Sequence, residues 1–572
     1  MERLLLFTIG SVQEYIIESK KVVDLINSSL IISDLMQTLK AYIEEKMNGE
    51  ILLPYIEKSK NDVNVTNQIL ITYKSDRSMA SELEDIISNR INKLLQKKEL
   101  KFYKEHRKLK DQLEDMLSVY WVEIPIKDEN EYEENYRKLV SYLEAVKYTN
   151  SFINTEIEEA VKGEKCSVCG KRNCIFHKNN GDKIKAKEML CGVCYLKRIY
   201  KSVKVDSTAQ ISLEKWIEKN REKDEYKRLK QKAEKMSRNS KHGKYQLLYK
   251  ENMLNEIKRT FADNIGAIEE RETINLYEEL SNNQEKYYCI YRLDIDNLGK
   301  WISGQYKTDG SNLREYQRKL SENIYVFLSK IAGFFSKKEN CKLVYAGGDD
   351  ILALLNIEDA LELSKKVDKY FEKAMTNSNL FKNISFSQGI FIVHYKGILR
   401  ESLKLTKERL NAVKEKFERL SYEDEKNAFI ISVLTDGYFY KEFYFKNHFE
   451  GKYIAQEIDK LIKYFRNESS FFHNELANQF ENMDFDYNEN LDIQYDIKNM
   501  LMVQQRRFMK RSNKSNKLDE KIDQLLIDIL NNNRFEMDML DLKNYLNMFY
   551  IIEKIKNILG GDESDESIES NS

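Results

Sequence analysis

The residues best suited to chemistry in this chain are carboxylates set between apolar runs. The stretch LVYAGGDDILALL (343–355) places Gly347, Gly348, Asp349 and Asp350 between two strand-like segments. Gly-Asp pairs form hairpin turns readily, so a structural turn is one reading. A site for a cation or a phosphate is the other, and a second acidic segment favours it. YYCIYRLDIDNLGKW (287–301) begins as a buried strand and ends at Asp294 and Asp296. If the two strands are neighbours, four carboxylates meet at one sheet edge. Such a group is costly unless a divalent cation neutralises it, and hard oxygen ligands favour Mg²⁺ or Mn²⁺. Gly347 and Gly348 would then let a triphosphate approach the backbone. Two metal ions would activate a ribose hydroxyl and stabilise departing pyrophosphate. Asp296 is the weakest member, because an Asp-Asn pair can simply close the turn.

Cysteines supply the second signal. CSVCGKRNC and CGVC give Cys166, Cys169, Cys191 and Cys194, two CxxC knuckles suited to one tetrahedral, structural Zn²⁺. A redox role is the alternative, but no open coordination position is suggested. Cys174 and His177 are substitutes at most and read as bystanders, while His394 in an apolar strand reads as a core histidine. Five of the seven cysteines crowd into residues 166–194, which is no disulfide framework.

The elements that must position these groups are legible from periodicity. At about 150 residues per domain, the chain is expected to hold three to five domains. Its 93 basic and 94 acidic residues balance, which excludes a global polycation, so any nucleic-acid contact must be local. The N-terminus does not read as a signal peptide, and no run of about 18 apolar residues exists; cytoplasm, with no membrane partner, is the expectation. Residues 287–435 read as strand, helix, hairpin, helix and strand, with one further helix and strand: a ferredoxin-like palm. Residues 3–126 repeat that order without acids at the strand ends. The predicted fold class is α+β, in five parts. A non-catalytic palm-like domain spans 1–145 and a zinc-binding, helical linker domain 146–280. The catalytic palm takes 281–440, a helical C-terminal domain 441–560 and a disordered acidic tail 561–572. The basic run QQRRFMKRSNKSNK (504–517) reads as a solvated face or loop.

In series, these motifs resemble the large subunit of type III CRISPR effector complexes, in the Cmr-type (III-B) branch. FTIGSVQEYIIESKKVVDLINSSLIIS (7–33) resembles that branch's N-terminal signature, and the knuckles, DIDNLGKW, AGGDDIL and SQGIFIVHYK follow in the family's order. The resemblance covers roughly residues 1–440. It implies an antiviral, target-RNA-activated nucleotidyltransferase that makes cyclic oligoadenylate from ATP, in a complex with CRISPR RNA and other subunits. It also implies that Asp349 and Asp350 are catalytic and that Asp294 is a further metal ligand, with Gly347, Gly348 and Asp296 on the nucleotide side.

Two departures qualify that expectation. Lys20, Lys21, Val22 and Val23 stand where the family usually has an Arg-Lys-Thr-Arg-like run, which puts that run's contacts in doubt. The sequence has no His-Asp doublet and its first palm strand starts at residue 3, so no HD nuclease is expected. The nuclease-less branch makes a second reaction a rival, in which the same site joins ATP to S-adenosylmethionine with release of pyrophosphate. An architectural subunit with an inactive palm is the third reading, and the presence of all four acids counts against it.

Overall fold

The computed structural model describes residues 1–560 apart from 56–65, 97–99, 101–106, 127–130, 151–163, 178–183, 203–206, 421–425, 435–439, 467–490, 513–518 and a few shorter gaps. The acidic tail and the second half of the basic run therefore lie outside the described residues.

Two sheets dominate. The first is built from β1 (Glu2–Ile9), β2 (Glu50–Leu53), β3 (Gln68–Lys74) and β4 (Val119–Ile126), in the order β2-β3-β1-β4 with every pair antiparallel. The second contains β5 (Tyr287–Ile295), β6 (Lys342–Gly347), β7 (Asp350–Leu355), β8 (Phe386–His394), β9 (Ala428–Leu434) and β10 (Tyr440–Lys446), in the order β10-β9-β8-β5-β7-β6. In each, the first strand lies between the third and the fourth, the ferredoxin-like arrangement. Only β8 and β9 run parallel, joined by the crossover helix Leu399–Leu420. The sheet differs from expectation at one edge. β10 carries it past residue 440, because Phe443 and Phe445 alternate inward from an otherwise charged segment.

Successive strand residues face opposite ways, and here both faces are buried. In β1, Leu4 and Leu6 enter one core while Leu5, Phe7 and Ile9 enter another. In β5, Tyr291 and Leu293 share the first core, and Tyr288 and Ile290 the second. Each core thus runs through both sheets, so the two palms are packed as one body. The helix Val22–Glu45 covers the second core with Leu25, Ile32, Leu35, Met36, Leu39 and Ile43, an i, i+3, i+4, i+7 stripe. Among the described residues it alone is long and apolar enough to cross a membrane, but 72% of its apolar window is buried in the protein.

The helix Tyr132–Asn150 packs against β1 and β4 and so carries the first palm past residue 145. The linker helices between Thr208 and Glu278 form a third core around Trp216, Tyr226, Leu229 and Met253, which Tyr395 of the second palm joins. C-terminal helices Ile454–Arg466 and Leu542–Gly560 close the molecule, the latter against β10.

Candidate active site and metal centre

β5 is central in its sheet, and its antiparallel register with β7 sets Asp294 directly opposite Asp350. The β6–β7 hairpin closes with Gly347 opposite Asp350, leaving Gly348 and Asp349 as the two turn residues. Gly348 has φ +64°, a backbone conformation that favours glycine and suits a two-residue hairpin. The Ile295 N–H donates to the Asp349 carbonyl at 2.9 Å, which pins the tip to the end of β5. Three carboxylates thereby share one edge. Burial, reinforced by Asp349 and Asp294, raises Asp350 well above the usual carboxylate range. Asp349 is itself exposed at the turn, yet desolvation by the surrounding protein and then Asp294 also raise it, against the opposing charges of Lys414 and Lys407.

Asp296 is turned away from this group. β5 ends at Ile295, so strand alternation stops one residue before Asp296, and Asn297 adopts a left-handed φ of 53°. The Asp296 carboxylate, 1% exposed, accepts from Ser385 and Ser387 hydroxyls at 2.8 Å each and from the Asn427 N–H at 2.9 Å. Burial raises its pKa, while Lys414 and these donors oppose the shift. Its place is behind the site, holding β5 to β8 and β9; the expectation of nucleotide contact gives way to a structural anchor because the strand ends too early.

Three side chains that sequence reading did not assign complete the group. Lys414 donates to Asp294 and lies 3.6 Å from Asp296. Burial lowers its pKa, but these carboxylates outweigh burial and raise it overall. Gln13 reaches from the first palm to donate its amide to Asp350, and its oxygen accepts from Lys407. Leu403, Lys407, Leu410 and Lys414 share a face of Leu399–Leu420, so apolar residues seat the helix while the lysines point at the acids.

Two cavities meet at the aspartates. One of about 480 Å³ is mostly apolar, with Leu53, Tyr55, Leu298, Tyr325, Gly348 and Asp349 in its wall. The other, about 360 Å³, is walled by Gln13, Ser33, Tyr345, Gly347, Asp349, Asp350 and Lys407. Thr66, Asn67 and Asp349 border both, so the first palm supplies part of the partition.

Cys166, Cys169, Cys191 and Cys194 are all buried, with sulfurs within 4.8 Å of one another and no disulfide among the described cysteines. Tetrahedral zinc with bonds of about 2.3 Å would hold its sulfurs about 3.8 Å apart. The Cys169–Cys191 separation is 3.9 Å, so the set fits such an ion. The Cys194 N–H donates to Cys191 Sγ at 3.4 Å, and Gly170 takes φ +69° after the first knuckle.

This knuckle grips both helices that serve the acids. Arg400, in the first turn of Leu399–Leu420, donates to the Val168 and Cys169 carbonyls at 2.9 and 3.3 Å. Lys197, on the helix Gly192–Ile199 that begins at the second knuckle, donates to the carbonyls of Tyr15 and, at 3.1 Å, Glu18. Beside it, Arg198 pairs with Asp24 and Glu188 in a buried network. Lys21, in the divergent part of the signature, joins Glu188 at 3.2 Å, while Val22 is buried.

Residues 287–422 match the model of the second palm domain of Cas10/Cmr2, and residues 4–125 that of the N-terminal domain of CRISPR-associated protein Cmr2. The CRISPR system Cmr subunit Cmr2 of Pyrococcus furiosus is 28% identical over 299 residues, which cover 45% of this chain and 34% of that protein. A Streptococcus thermophilus protein, the CRISPR system single-strand-specific deoxyribonuclease Cas10/Csm1 (subtype III-A), is 25% identical over 218 residues, 34% of this chain and 27% of its own length. The chain thus spans about a third of the curated relatives it matches. Among solved structures, the type III-B Cmr-beta complex bound to cognate target RNA contains a chain with a TM-score of 0.63 at 14% identity, over 98% of this chain and 83% of that one. Its apo state gives 0.57 at 14% identity, with 98% and 82% covered, and at such identities the likeness is one of fold. Matches to both palms, in the order in which the sheets and the acidic edge are built, show that the chain belongs to the Cas10/Cmr2 family.

Proposed function

We propose that this chain is the target-RNA-activated nucleotidyltransferase subunit of a type III-B CRISPR complex and converts ATP into a cyclic oligoadenylate. The observation that carries the reading is the meeting of Asp294, Asp349 and Asp350 at one sheet edge, with Asp349 on the boundary between an apolar and a polar cavity. The three carboxylates are the ligands for Mg²⁺ or Mn²⁺. Bound there, a cation pair supplies hydroxyl activation and charge neutralisation on the leaving pyrophosphate. The apolar cavity suits a nucleobase, with Tyr55 and Tyr325 packed edge to face in its wall. The polar cavity suits phosphates, which Lys407 would meet with an ammonium. Lys414 balances Asp294, a role that a cation held by the three carboxylates would share. Thr66 and Asn67 make occupancy depend on how the first palm sits against the second. Guide RNA, target RNA and the remaining subunits are the proposed partners, and the four cysteines hold a structural zinc.

The test is incubation of the assembled complex with target RNA, Mn²⁺ and ATP, with and without S-adenosylmethionine, followed by mass spectrometry. Cyclic adenylates from ATP alone are the expected products. An adduct that forms only with S-adenosylmethionine would move the reading to adenylyl transfer onto that acceptor. No product in any arm would leave an architectural palm.

A further inference from the structure

Once four thiolates are assigned to one ion, Cys174 and His177 are left over, and the fold does not treat them as spacer. They lie on a short antiparallel ribbon. Lys165 faces Asn173 across it, and the Cys174 N–H donates to the Glu164 carbonyl at 2.8 Å. Glu164 and Cys174 are thereby set side by side. Two residues on, Phe176 exchanges two hydrogen bonds of 2.9 Å with Leu190, fixing the chain on the far side of Cys174. His177 follows directly. Backbone pairing on either side, and not loop drift, brings the three side chains together. Cys174 Sγ lies 3.8 Å from His177 Nε2 and 4.0 Å from Glu164 Oε2, and all three atoms lie within 4.8 Å of one another.

We infer that Glu164, Cys174 and His177 form a second metal site, distinct from the four-cysteine centre and specific for a borderline-soft divalent cation such as Zn²⁺. Sulfur, nitrogen and oxygen ligands around tetrahedral zinc stand about 3.5 Å apart, so closure moves Cys174 by a few tenths of an ångström toward each partner, and Glu164 and His177 come together from within 4.8 Å. One thiolate and one carboxylate neutralise the ion, and imidazole adds no charge. A sulfur and an imidazole do not suit Mg²⁺ or Ca²⁺, which take oxygen shells, so this is no reservoir for the ion of the palm. The two clusters share no ligand. They also differ in access. The four cysteines are buried, whereas Glu164 is exposed and Cys174 and His177 are half-exposed. Three protein ligands on an accessible face leave the fourth position to water, which makes the ion exchangeable where the first is locked in.

The full-length protein, stripped and titrated with Co²⁺, tests this. Counted by sulfur-to-cobalt bands, which the carboxylates of the palm cannot give, two equivalents are expected, the second with a weaker band and removable by a mild chelator that leaves the first. Cys174→Ser combined with His177→Ala should bind one equivalent with an unchanged melting profile. Glu164→Gln should weaken the second equivalent at least about tenfold. Uptake of a single equivalent by the wild type would overturn the proposal, as would a second equivalent that survives in the double variant. Should the double variant fail to fold, His177→Gln alone decides: an unaltered spectrum of the second cobalt refutes the site.

Discussion

Lys197→Met separates the knuckle from the acids without touching either. Lys197 is 1% exposed, donates to two backbone carbonyls in the segment 15–18 and sits 3.9 Å from the Tyr15 ring centroid. Hydrogen bonds from a charged donor contribute roughly 1.5–3 kcal/mol each, and a desolvated cation–π contact about 2 kcal/mol. Burying the ammonium offsets several kcal/mol of that sum. Methionine fills the space but leaves two carbonyls bare, so the net loss is about 2–4 kcal/mol, concentrated where residues 12–24 meet the helix Gly192–Ile199. Gln13 precedes that segment, so its hold on Asp350 should loosen. Hydrogen exchange is expected to quicken across 12–25 while zinc content stays at the wild-type value. In nucleotide synthesis, the Mn²⁺ concentration for half-maximal rate should rise on the order of tenfold, the equivalent of about 1.4 kcal/mol at the site. Faster exchange with an unchanged Mn²⁺ dependence would refute the coupling from knuckle to acid.

Further predictions separate the roles of the acids and of the linker. Asp349→Ala with Asp350→Ala should abolish nucleotide synthesis and Mn²⁺-dependent thermal stabilisation while the complex still assembles; full activity in that variant would remove the assigned site. Asp296→Ala should instead destabilise the protein by roughly 3–5 kcal/mol, since it strands two hydroxyls and a backbone N–H in the interior and leaves Lys414 only Asp294; a wild-type denaturation midpoint would contradict the anchor. Cys166→Ser with Cys169→Ser should release about one zinc per chain and loosen both gripped helices, read by elemental analysis and hydrogen exchange. Glu285 is buried and raised to about 7, first by desolvation and then by Glu358, against Lys219 and Lys215. The folded state therefore holds a proton that the unfolded chain releases near pH 4.5, and stability should fall by about 3 kcal/mol as pH rises from 4.5 to 7. Glu285→Gln should flatten that part of the pH profile, and an unchanged profile would exclude Glu285 as its source.

What could be read in the sequence, and what could not, follows the range of the interactions. Strand order in both palms was legible because each strand is a short apolar run closed by a turn, and strand-helix-hairpin-helix-strand leaves few compact arrangements. That topology alone brings Asp294 beside Asp350. β10 was missed because Lys441, Glu442 and Lys446 mask the alternation of Phe443 and Phe445. Asp296 is the weakest of the four acids on sequence alone, since an Asp-Asn pair can close a turn, and β5 does end one residue before it, at Ile295. Lys407 and Lys414 lie in a helix so charged that its polar face reads as solvated. Gln13 meets Asp350 across 337 residues of sequence, a separation no local pattern encodes.

The same long-range contacts give the division between the palms a physical meaning. The second palm contains the three acids, yet its polar cavity is closed partly by Gln13, Ser33, Thr66 and Asn67 of the first. Asp350 is half-buried beside two like charges; Arg292 of β5 opposes them, and further partners of the acidic group arrive on separate helices: Gln13 on Val12–Ile17, and Lys407 and Lys414 on Leu399–Leu420. Each helix is tied to the same cysteine knuckle, one through Lys197, the other through Arg400. A rigid four-thiolate centre thus sets the spacing between two elements whose ends meet at one carboxylate. A displacement of the first palm would move Gln13 without moving Asp294 or Lys414, which share the second palm's own framework. Any partner that shifts the first palm consequently has a direct route to the electrostatics of Asp350, with no need to deform the sheet that carries it.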